Sequence, residues 1–180
     1  MKIRPILSII VLFSFIAIGC KSEKETPATE SLKVPDSISL KGLSLGMDFS
    51  IAREQALKLF EDAGFSKEIM TEIKPDSTEF SVLKMPLEPI WIGIWKDEKG
   101  KLFRVQMSTY ATETFFNAKD LSAEEFVKEF AKNYKLPNMK PNKNEPWVTW
   151  WNYESKNNWR ISINDAKYIK YETIPEKQKP

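Results

Sequence analysis

The chain has 180 residues, with 27 Lys and Arg against 25 Asp and Glu, one cysteine and no histidine. A chain without histidine has no Ser-His-Asp triad, no imidazole base and no His-ligated metal. A lone cysteine allows no intramolecular disulfide, and a nearly balanced charge gives no strongly basic surface for nucleic acid.

The first segment is an address. Lys2 and Arg4 precede Ile6 to Ile18, a run of 13 residues that is apolar except at Ser8 and Ser14. A helix of that length covers about 20 Å, short of the roughly 30 Å of a hydrocarbon core. A basic start, a short apolar run and small residues ahead of a cut are the layout of a secretory signal peptide. Ala17-Ile18-Gly19-Cys20 then resembles a bacterial lipobox, with Ala17 where Leu is usual. The resemblance implies cleavage after residue 19 by signal peptidase II and acylation of Cys20, on sulfur and on the freed amine. Cleavage would remove Lys2 and Arg4 and no acid, so 25 basic residues would face 25 acidic ones in a mature chain of zero formal charge.

Lys21 to Ser37, KSEKETPATESLKVPDS, has almost no large apolar side chains. It reads as a tether, because it cannot bury enough surface to offset the entropy of ordering it. Lys21 after the cysteine resembles lipoproteins sorted onward to an outer membrane. Residues 1–19 are thus expected as signal peptide, 20–37 as lipidated tether and 38–180 as one domain.

Phe49, Ala52, Ala56, Leu59, Phe60 and Ala63 recur at helical spacing, which predicts a helix over 50–63 that ends at Gly64. The stretch Gly42 to Gly64 resembles the opening of small envelope domains with helices on an antiparallel sheet, such as the BamE lipoprotein of the barrel-assembly machinery and the β-lactamase-inhibitor-protein fold. That likeness implies a fold class and a theme of protein binding, and no functional residue. Strands are expected over 80–85, 90–96 and 102–109, the last two joined by the turn Asp97-Glu98-Lys99-Gly100. Leu121-Ser122-Ala123-Glu124-Glu125-Phe126 is a helix start with a capping box. Residues 138–146 read as a loop, and strands are expected again over 147–153, 159–164 and 168–173. The order predicts an α+β domain: an antiparallel sheet with two main helices on one face, in a helix–three-strand pseudo-repeat.

Alternation puts Ile90, Ile92 and Ile94 on one side of their strand and Trp91 and Trp95 on the other. The same spacing groups Trp147, Trp151 and Tyr153. If the isoleucines face the helices, these five aromatic residues are the candidate binding surface, since Trp and Tyr are enriched at binding hot spots; the bland alternative is that they are core. Carboxylates such as Glu124, Glu125 and Glu129 could hydrolyse a glycoside if paired in a cleft, but they fall at helix positions where acids face water. No metal or cofactor motif is present. The expected function is a non-catalytic, lipid-anchored envelope module that binds a protein partner and no nucleic acid. It would be membrane-held through Cys20, at the outer membrane rather than the inner. The alternative is a surface-exposed adhesin or glycan binder using the aromatic face.

Overall fold

The computed structural model describes residues 36–66, 71–73, 80–84 and 89–175. The expected signal peptide, Cys20, most of the expected tether and the last five residues lie outside them. The described chain is an α+β domain. It opens with a two-residue hairpin, β1 (Ser39–Leu40) and β2 (Leu43–Ser44), whose leucines are fully buried. Helix α1 (Phe49–Asp62) follows, then β3 (Thr71–Ile73), β4 (Phe80–Lys84), β5 (Trp91–Lys96) and β6 (Leu102–Met107). Helices α2 (Thr109–Phe116) and α3 (Ala123–Asn133) come next, then β7 (Lys140–Glu145), β8 (Val148–Glu154), β9 (Trp159–Asn164) and β10 (Ile169–Thr173).

Strands β3 to β10 form one antiparallel sheet in the order β3-β4-β5-β6-β10-β9-β8-β7. Each half is a four-strand meander, and the two final strands, β6 and β10, meet at the centre. The repeat is therefore a helix followed by four strands, not three. The helix ends repeat as well. Phe65 N donates to Phe60 O at 2.9 Å and Leu136 N to Ala131 O at 2.8 Å, the closing bond of the same C-terminal motif. Gly64 takes the left-handed position after α1 (φ 87°), as its sequence position suggests, and Lys135 takes it after α3 (φ 54°).

Three elements depart from the sequence reading. The strand expected to run to Thr109 stops at Met107, because Ser108 caps α2 with its hydroxyl accepting from Ala111 N at 3.1 Å. The sequence reading assigns no element to residues 110–116, because the aromatic and β-branched residues of TYATETFF are poor helix formers, a propensity that tertiary packing overrides here. The supposed loop 138–146 holds β7, a polar edge strand with Pro141 and a register shift. Such edges deter further pairing and carry no alternation to read. Strand β3 is the opposite edge, and its three residues are too few to show a period.

One core joins these layers. Phe60, Phe126 and Phe130 from the helices pack with Ile92, Ile94, Val105, Met107, Ile161, Ile163, Ile169 and Tyr171 from the sheet, all buried. The chain is stitched to this core from Asp36 onward: Trp159 Nε1 donates to Asp36 O at 2.8 Å and the Tyr171 hydroxyl to Ile38 O at 3.0 Å.

Candidate functional site

Strand pairing fixes which side chains share the face turned away from the core. Three rows cross it. The first runs through Trp91, Tyr168, Asn164 and Trp150. The second holds Gly93, Gln106, Lys170, Ser162, Asn152 and Lys140. The third holds Trp95, Arg104, Glu172, Arg160 and Glu154. Strand spacing makes this surface about 24 Å across six strands and about 13 Å along them. Among the described residues no helix covers it.

The first row is aromatic. Tyr168 stands between the indoles of Trp91 and Trp150, with ring centroids 6.0 and 6.1 Å away and planes inclined at 59° and 84°. Its backbone is held by a bond from Tyr168 N to Asn164 Oδ1 at 2.8 Å. The preceding Lys167 anchors the turn to the α2–α3 loop. Its ammonium group, 8% exposed as a residue, donates to Ala118 O at 3.0 Å and Leu121 O at 2.9 Å and pairs with Glu113 at 2.6 Å. Burial pushes the Tyr168 phenol up to about 12. The middle row is neutral and polar apart from its two lysines, and Gly93 has a reason to be glycine. A Cβ there would lie 2.5 Å from the Trp95 ring carbon Cη2, so the indole folds back over the bare backbone.

The third row is built on Glu172, which is 3% exposed. Its carboxylate accepts from Arg104 Nε at 2.9 Å and Arg160 Nη2 at 2.6 Å and pairs with Lys170 Nζ at 2.9 Å. Burial alone would raise its pKa, but the bonds from Arg160 and Lys170 and the charges of Lys170 and Arg104 outweigh it and hold the carboxyl below its usual range. Arg160 also reaches Glu154 at 3.4 Å. The Arg104 guanidinium carbon sits 5.8 Å from the Trp95 ring centroid and 5.3 Å from that of Phe103.

The five aromatic residues singled out from spacing do not come together. Trp91 and Trp95 lie on the open face. Trp151 and Tyr153 lie on the other, opposite Ile163 and Ile161, and pack partly buried against the core. Trp147 belongs to neither: it sits in the β7–β8 turn, 91% exposed. The expectation that Trp147, Trp151 and Tyr153 join the open face is thus corrected. It is Trp150 that faces outward on β8, and the polarity of Asn152 and Glu154, which share its parity, is the signal that could have found it. Trp151 instead floors a cleft of about 700 Å³ between α3 and the β7–β8 hairpin, with Val127, Ala131 and Met139 along its walls.

The candidate hydrolytic acids are surface groups. Glu125 completes the capping box with Ser122, Glu124 pairs with Lys128 at 2.9 Å, and Glu129 is exposed. Among the described residues no group of three acidic, Cys or His side chains is placed to hold a metal ion. Nor is any helix there long and apolar enough to cross a membrane. Comparison with known proteins finds no family model, no curated protein and no solved structure that matches this chain.

Proposed function

We propose that this chain is a lipid-anchored lipoprotein of the bacterial cell envelope. Its domain is a non-catalytic module that binds another protein through the open face of the sheet. The membrane reading rests on the lipobox-like residues ending at Cys20, and Lys21 favours the outer membrane. One observation carries the binding reading: a sheet face that no helix among the described residues covers, with a fixed aromatic row, Trp91–Tyr168–Trp150, and across a polar row from it a row of oriented charges. Aromatic and arginine side chains held in place lose little freedom on contact, which is why they dominate binding energy where they occur.

The glycan-binding alternative fits this face less well, because rings inclined to one another at 59° and 84° offer no flat platform for a sugar. The test is a comparison of alanine variants in membranes of the source organism. Trp91→Ala with Trp150→Ala should remove a co-isolating protein that Trp147→Ala leaves in place. If all three variants retain the same protein, the face is not the binding surface.

A further inference from the structure

The charged row has a part that the domain itself leaves unfinished. Three cations converge on one carboxylate, and among them Arg104 keeps its whole forked edge clear of that carboxylate. It donates to Glu172 through Nε, and that is the only hydrogen bond its guanidinium makes to a described residue. Among the described residues none accepts from its Nη1/Nη2 edge, on a residue whose side chain is 33% exposed. The orientation of that edge is set from behind by a nearly buried carboxylate and from the sides by Trp95 and Phe103. A planar guanidinium edge held in this way matches the two oxygens of a carboxylate in a bidentate pair.

The three rows together have the matching sign. Arg104, Lys140, Arg160 and Lys170 stand in them against Glu154 and Glu172, a formal excess of two positive charges. We propose that the third row is a seat for an Asp or Glu side chain on an acidic segment of the protein partner. The carboxylate lies end-on to Nη1 and Nη2 of Arg104. This rests on the reading of the open face as a protein-binding surface, and it adds the chemistry of what binds there.

The probe is a synthetic peptide, Gly-Glu-Phe-Glu-Gly-Glu-Phe-Glu-Gly, with its Gln-for-Glu counterpart, titrated into the full lipoprotein in detergent and read by tryptophan emission. The Glu peptide should bind at least about tenfold more tightly than the Gln peptide, the usual worth of a charge-assisted bond. About 0.5 M salt should shrink that difference. Arg104→Gln should abolish the preference. Arg104→Lys keeps a cation beside Glu172 but loses the fork, and should lose most of the preference with an unchanged melting temperature.

Equal binding of the two peptides, or a preference untouched by both Arg104 variants, would overturn the seat. If that shared binding is lost in Trp150→Ala, the protein-binding face survives the failure. No binding of the Glu peptide to the wild type would overturn the seat as well. Displacement of the peptide by short-chain phosphatidylglycerol at lower concentration than by free peptide would assign the seat to a lipid headgroup, against the proposal.

Discussion

Trp151→Ala and Trp150→Ala change neighbouring residues of one strand and should have unequal costs. A tryptophan removes about 200 Å² from water when buried, and Trp151 is partly buried against the core, opposite Ile163. If roughly two-thirds of that area is lost, about 25 cal/mol per Å² gives about 3 kcal/mol. The site already opens into the cleft under α3, so truncation adds little cavity cost. Trp150 is partly buried on the open face, and among the described residues its ring neighbour is Tyr168. An aromatic pair of that kind contributes about 1 kcal/mol. Urea denaturation followed by far-UV circular dichroism measures both variants, and an unchanged m-value keeps the comparison valid. Equal losses, or a larger loss at Trp150, would refute the assignment of faces.

Glu172→Gln should destabilise the domain by about 2 kcal/mol, below the roughly 3–5 kcal/mol of a fully buried broken pair because its cationic partners are about a third exposed. Because the folded carboxyl is held below its usual range, its contribution is present above that range and lost as pH falls through and below it. A Glu172→Gln variant should therefore show a flatter loss of stability in acid, seen in melts across acid pH. Burial raises the phenols of Tyr168 and Tyr171 to about 12 and also raises that of Tyr134. Alkaline titration at the phenolate absorbance should show late-ionising tyrosines, with stability falling as pH rises from about 10 towards 12. Cys20→Ser should leave an unprocessed chain; if the wild type partitions into the aqueous phase of a detergent extraction, the lipid anchor is refuted.

Much of the fold was readable locally. The helices α1 and α3 announce themselves by apolar spacing, and α3 by the capping box of Ser122 and Glu125. Strands β5, β6, β9 and β10 show alternation because one side faces the core. What was hidden had no such contrast. Helix α2 is written in strand-forming residues, and β7 is polar throughout. On β8 both faces carry aromatics, so spacing from Trp147 chose the wrong set. Trp147 proved to lie in a turn, where the period of two no longer counts. The charged row was beyond local reading altogether, since Arg104 and Glu172 are 68 positions apart and meet only through the central β6–β10 pairing.

The central claim is that the open face meets a protein, and a photo-cross-linking scan along β8 tests it most directly. Benzoylphenylalanine placed singly at Trp150, Trp151, Asn152 and Tyr153, in the full chain expressed in the source organism, samples the two faces alternately. Cross-links to one protein from positions 150 and 152, and none from 151 and 153, are the expected result. Cross-links from 151 and 153 alone, or with no alternation, would contradict it.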